Sequence, residues 1–194
     1  MIPEGIDDLP IIQKGHDPEV CFQIIPVKCH STECFSWDSV EECESAKISL
    51  DEFDVDGFLG YFFRKHFDKT LIYNQQRHDD VHGIKDLCLP AEFEWYLTHN
   101  FYSYDAMRAM LDDIRRVMDD MRCGGLDAVP PELSKDIKGW FYAIGDDSVD
   151  RAAAEKLAYA NPFVAMDYFR SFICHMEKMM EEHPDWPLIS IIGP

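Results

Sequence analysis

Basic residues are scarce in this chain. It carries 18 Lys and Arg against 37 Asp and Glu, a net charge of −19 over 194 residues. Nucleic acids and anionic membrane surfaces are both held by clustered cations, so this balance argues against either as a partner. Long apolar runs are missing as well. Gly57-Phe58-Leu59-Gly60-Tyr61-Phe62-Phe63 is among the longest, far short of the roughly 20 residues that span a bilayer. Met1 to Asp8 lack a basic stretch followed by an apolar one, so no secretory leader is expected. With only ten glycines, the chain contains neither of the glycine-rich loops that cradle phosphates. It also lacks a Gly-x-Ser-x-Gly elbow and any family-specific cysteine signature, which leaves nucleophilic catalysis without support.

What is present is close to an ordinary globular composition, 46% hydrophobic and 28% charged, and reads as a single domain over 1–194. The seven cysteines (Cys21, Cys29, Cys34, Cys43, Cys88, Cys123 and Cys174) are an odd set with no leader, so reduced thiols and a cytoplasmic location are expected.

The chain changes character near residue 100. In 1–100, short stretches of alternating or β-branched residues predict strands at Val20–Ile24, Cys34–Asp38, Ile48–Leu50, Thr70–Tyr73 and Glu92–Leu97. Pro26 points to an edge or a bulge. Val55, Phe58, Leu59, Phe62, Phe63, His66 and Phe67 form one helical stripe, with Asp54 as a candidate cap. In 101–194 the helical signal dominates. Ser103 caps a helix whose core face is Met107, Met110, Leu111, Ile114, Val117, Met118 and Met121, stopped at Gly124-Gly125. Its other face offers oppositely charged i,i+4 pairs, Asp112–Arg116, Arg115–Asp119 and Arg116–Asp120. Pro130-Pro131 opens a short helical turn to about Lys138, Trp140–Ile144 reads as a strand or buried connector, and Ser148–Ala160 as a helix. Asn161-Pro162 begins a last helix, 162–183, with Phe163, Met166, Phe169, Phe172, Ile173, Met176, Met179 and Met180 on one side. Strands followed by helices predict an α+β fold: a mainly antiparallel sheet from the N-terminal half packed against helices of the C-terminal half.

Three stretches, Glu92-Phe93-Glu94-Trp95-Tyr96, Asn100-Phe101-Tyr102-Ser103-Tyr104 and the closing Leu188–Pro194, resemble features of small acidic bacterial proteins of uncharacterised function. The resemblance covers mainly the second half and implies a bacterial origin, with no activity or catalytic residue attached to it.

His78, Asp79 and His82 have the spacing to ligate one metal from a helical turn, the basis of an alternative reading as a small metal-dependent hydrolase. Gly83 and the flanking strand candidates favour a polar loop instead. Cys29, His30 and Cys34 have the outer limit of zinc-pair spacing, and no clean second pair follows. Cys174 and His175 are helix neighbours whose side chains diverge by about 100°. Glu92 and Glu94 would share one strand face opposite Phe93 and Trp95, usually the solvent face. The methionines of the two long helices suit either a flexible partner-binding groove or core filling, and core filling is preferred. No cofactor is implied.

One local feature remains. Residues 31–60 hold nine acids against the single base Lys47, so over 40% of the net charge lies in 30 residues. Glu41, Glu42, Glu44, Asp51, Glu52, Asp54 and Asp56 are therefore the candidate residues for binding a basic protein, with a solubilising face as the plain alternative. The expected function is a non-catalytic acidic inhibitor, of the kind immunity proteins exemplify, that masks a basic surface.

Overall fold

The computed structural model describes residues 12–14, 21–30, 40–74, 93, 95, 99–143 and 150–194. Its strands are β1 (Ile12–Lys14), β2 (Cys21–Cys29), β3 (Val40–Glu42), β4 (Ile48–Asp51), β5 (His99–Ser103) and β6 (Leu188–Ile192). They pair antiparallel throughout in the order β1-β4-β2-β6-β5, with β3 pairing the far end of β2. The helices are α1 (Glu52–Asp54), α2 (Gly60–Lys65), α3 (Tyr104–Gly124), α4 (Pro131–Ala143), α5 (Arg151–Ala160) and α6 (Pro162–Glu182). The arrangement is α+β.

Side-chain alternation sorts the sheet into two faces. Phe22, Ile24, Ile48, Leu50, Tyr102, Ile189 and Ile191 join the large core under the helices, while Ile25, Val27, Phe101 and Leu188 form a second, smaller core on the opposite face. Both faces of the central strands are therefore covered, which is why β2 and β6 are apolar almost without interruption. The sheet does not come from the first hundred residues alone. β6, from the end of the helical half, lies between β2 and β5. Asn100–Ser103, immediately before the helix that Ser103 caps, makes up most of β5.

Pro26 lies inside β2, not at a sheet edge. Here the neighbour on one side of β2 changes from β4, which ends opposite Ile24, to β3, which begins opposite Val27. The Pro26 carbonyl accepts from the Cys43 N–H at 2.9 Å, and the same side of Pro26 needs no donor at this junction.

Thr70–Tyr73 is not a strand. The Asp68 carboxylate accepts from the Thr70 N–H at 2.8 Å and from its hydroxyl at 2.7 Å, turning the chain into a single helical turn at 72–74. Asn74 then does a strand's work. Its fully buried carboxamide takes the Phe101 N–H and donates to the Phe101 carbonyl, both at 2.9 Å, so it pairs β5 where a neighbouring backbone would. Cys34–Asp38 lies outside the described residues. In the Glu92–Leu97 stretch only Phe93 and Trp95 are described; neither is in a strand, and both rings pack on the large core.

The expected helix over Val55–Phe67 begins earlier, capped by Asp51 through Phe53 N–H at 2.8 Å, with a π-helical stretch over Val55–Leu59 between α1 and α2. Gly57 sits there for want of space: a Cβ would lie 2.6 Å from Trp140 Cβ. An alanine normally gains up to about 1 kcal/mol over glycine in a helix. Because Trp140 cannot yield at its Cβ, Gly57→Ala is instead expected to destabilise by about 1 kcal/mol, read as a lowered urea midpoint.

α3 follows the sequence closely. Ser103 accepts from Ala106 N–H at 3.1 Å, every expected core position is buried, and Gly125 closes the helix with φ +63°. Its surface pairs are i,i+3, not i,i+4: Asp105–Arg108, Asp112–Arg115, Asp113–Arg116 and Asp119–Arg122. Asp113 is buried and takes Lys65 Nζ at 2.6 Å and His66 Nε2 at 3.0 Å, tying α2 to α3. Burial alone would raise its carboxyl, but the hydrogen bonds from Lys65 and His66 outweigh this and hold it low.

α4 continues through Ala143 and absorbs Trp140–Ala143, because Leu133, Ile137 and Phe141 repeat at i,i+4 toward the core. α5 is capped by Asp150, whose side chain accepts from Ala153 N–H at 2.8 Å. Asn161 ends α5 as much as it starts α6, donating its amide to the Leu157 carbonyl at 2.8 Å. Along α6, Phe169, Phe172, Ile173, Met176, Met179 and Met180 are buried, whereas Phe163 is 56% exposed. Seven of the eight methionines on α3 and α6 are buried, so they fill the core between helices and sheet.

Candidate functional site

The topology divides the acidic segment. Glu41 lies opposite Lys28 and Asp51 opposite Cys21, so seven steps along β2 separate them, about 23 Å at the usual rise per residue. Glu41, Glu42 and Glu44 form one group at the β3 end of the sheet. Asp51, Glu52, Asp54 and Asp56 form the other at α1 and the π-helical stretch.

The β3 group is largely engaged within the molecule. Glu41 Oε2 meets His30 Nε2 at 2.9 Å, and Glu44 meets Lys47 Nζ at 3.2 Å. Glu42 is half-buried; burial, then a hydrogen bond with Glu44 and its charge, raise its carboxyl, with Lys47 opposing. The nearest imidazole, His99, lies 3.8 Å away. Burial pushes His99 down to about 4, so the ring is neutral at physiological pH, where it bonds Ser190 Oγ at 2.7 Å.

The α1 group is organised differently. Asp54 turns inward to accept from Trp140 Nε1 at 2.8 Å. Burial pushes its carboxyl up to about 6, against the Trp140 hydrogen bond and with the charge of Asp51 adding to the rise. One turn before Trp140, Asp136 is likewise pushed up to about 6, chiefly by burial; Arg64, 3.5 Å away, opposes and Asp56 adds. Behind them the Tyr168 hydroxyl is fully buried with no partner among the described residues, and burial, then the charges of Asp54 and Asp51, raise it far. Facing outward are Asp51, Asp56 and the half-buried Glu52, and between them Phe53 exposes 60% of its surface. Phe53 and Asp56 are i,i+3 neighbours.

Phe53 escapes a reading by periodicity because it falls off the Val55–Phe67 stripe, on the opposite side of the helix. That offset is the one signal available for it. Asp136, Arg64 and Trp140 join the site from distant positions, and nothing local marks them.

His78, Asp79 and His82 lie outside the described residues, as do Cys34, Cys88, Glu92 and Glu94. Burial pushes the Cys29 thiol up to about 11. Among the described residues, no three His, Cys, Asp or Glu side chains converge as a metal site, and no helix is long and apolar enough to cross a membrane. Among the described cysteines, Cys29, Cys43, Cys123 and Cys174 are free thiols.

The fold and this surface define an acidic α+β protein with an aromatic residue set among carboxylates. No protein-family model, curated protein or solved structure matches the chain.

Proposed function

We propose that this is a non-catalytic cytoplasmic binding protein that acts as an inhibitor by masking a basic surface on another protein, in the manner of an immunity protein. The observation that carries the reading is Phe53, exposed in the midst of Asp51, Glu52 and Asp56. Interfaces concentrate affinity in a few aromatic anchors ringed by polar groups, and rim charges set the rate and salt dependence of encounter. The net charge of −19 supplies long-range attraction for a cationic partner.

The test begins with capture of a basic protein at low salt and continues with binding kinetics on that complex. Phe53→Ala is expected to speed dissociation at least tenfold. The combined Asp51→Asn, Glu52→Gln and Asp56→Asn variant keeps the cap, since Asn and Asp serve equally there. It should slow association several-fold, and the difference should fade as salt rises and screens charges beyond about 8 Å. Glu41→Gln with Glu44→Gln, both already paired internally, should change association less. Kinetics indifferent to Phe53 and to the α1 carboxylates would sink the reading.

A further inference from the structure

At the other end of the sheet, away from Phe53, the fold brings together a thiol and an imidazole that are 140 positions apart in the chain. Cys43 Sγ lies 3.7 Å from His183 Nδ1 and 3.6 Å from Ser45 Oγ. Both backbones are pinned. The Cys43 N–H donates to Pro26 O, and its carbonyl accepts from Ala46 N–H, each at 2.9 Å. His183 follows α6, its N–H donating to Met179 O at 3.1 Å, while its carbonyl accepts from the Tyr104 hydroxyl at 2.7 Å and Trp186 N–H at 3.1 Å. Ser45 and His183 line an open cavity of about 330 Å3, which also takes in Glu44, Lys47, Lys178 and Glu182.

We propose that Cys43 and His183 form a nucleophilic thiol–imidazole pair, and that Cys43, which lies behind Ser45 and His183 and not on the cavity wall itself, is a site of covalent modification by small uncharged carbon electrophiles that reach it past those two side chains. A thiol reacts as its thiolate, and an imidazole nitrogen in hydrogen-bond reach is the standard means of generating one. Other thiols are less suited: Cys21 is buried, and Cys29 and Cys174 are both raised by burial. The charges around the cavity balance, Lys47 against Glu44 at 3.2 Å and Lys178 against Glu182 at 3.9 Å, which favours a neutral reagent over an anion or a cation. In the step itself, a sulfur lone pair forms the S–C bond as the carbon–leaving-group bond breaks. The leaving group departs with that bond's electron pair, and the thiol proton passes to His183 Nδ1 and then to water. No oxidant or reductant is required.

Iodoacetamide is the probe, with iodide leaving, and the exposed Cys123 is the reference thiol in the same sample. Alkylation of the full chain is followed site by site by peptide mass spectrometry. His183→Gln keeps a hydrogen-bonding side chain but removes the base; the Cys43 rate should fall at least tenfold while that of Cys123 stays level. An unchanged Cys43 rate overturns the proposal. Should His183→Gln unfold the chain, which labelling of the buried Cys21 would report, the wild-type rates at neutral pH decide. With an imidazole 3.7 Å from its sulfur, Cys43 should be alkylated at least tenfold faster than the exposed Cys123. An equal or slower Cys43 rate overturns the proposal.

Discussion

Phe172→Ala is expected to lower stability by about 3–5 kcal/mol, the range for emptying a well-packed aromatic site. Phe172 is wholly buried at the middle of α6, and its ring centroid lies 6.1 Å from that of Phe63 on α2. Phe63 in turn stacks toward Tyr102 of β5, whose hydroxyl donates to the Phe63 carbonyl at 2.7 Å. Truncation therefore removes the ring contact that joins α6 to α2, and backbones pinned by the Tyr102 hydrogen bond have little room to collapse into the void. Urea denaturation should show a lower midpoint with an unchanged slope. Phe163→Ala, on the same helix but exposed, should stay within about 0.5 kcal/mol of wild type. A loss below about 1 kcal/mol for Phe172→Ala would mean that α6 does not pack its aromatic face on the sheet.

Asp54 should lower stability as pH rises from about 4 to 7, while His99, held low, acts in the opposite sense over the same range, and Asp54→Asn should remove the Asp54 part. Asp54 titrates near 6 in the folded protein, against about 3.9 in an unfolded chain. A carboxyl raised on folding leaves stability intact below its unfolded value. That stability is then lost as pH climbs through the folded value, because the folded state must hold a poorly solvated anion. Two units correspond to about 2–3 kcal/mol, and partial solvation brings the expected effect to about 1–2 kcal/mol. Asparagine has the same shape and still offers an oxygen to Trp140 Nε1, so Asp54→Asn should stabilise by that amount at pH 7.5 and be neutral at pH 4. Asp136, raised by the same cause, should leave a residual slope in the variant. Asp113 works in the opposite direction: its carboxyl is held low, so its contribution is present above about pH 4 and lost on further acidification. Thermal melts across pH 4 to 8 check both. If Asp54→Asn destabilises at pH 7.5 as well as at pH 4, the carboxylate is wanted in its charged form and the burial argument fails.

What the sequence alone determined was whatever a few neighbouring residues decide. The α3 stripe from Met107 to Met121, its Ser103 cap and Gly125 stop, the Pro162 start of α6 and the short apolar runs of β2 and β4 all follow from side chains within a turn or two of one another. Tertiary structure decided the rest, because the deciding partner was remote. Trp140–Ala143 has strand-like residues but continues α4, since Phe141 shares a core face with Leu133 and Ile137. Leu188–Ile192 is a central strand only because β2 and β5 leave a place between them, and these end 159 and 85 residues before it in the chain. Thr70–Tyr73 lost its strand to Asp68, and Asn74 covers β5 in its stead. The seven acidic residues of Glu41–Asp56 read as one patch along the chain, yet β3 and β4 take opposite ends of β2 and carry them apart. Sequence proximity fixes which residues share a helix face and set Phe53 among carboxylates; only strand pairing across the whole chain fixes which distant surfaces meet, and it was this that parted the two acidic groups and set Cys43 against His183.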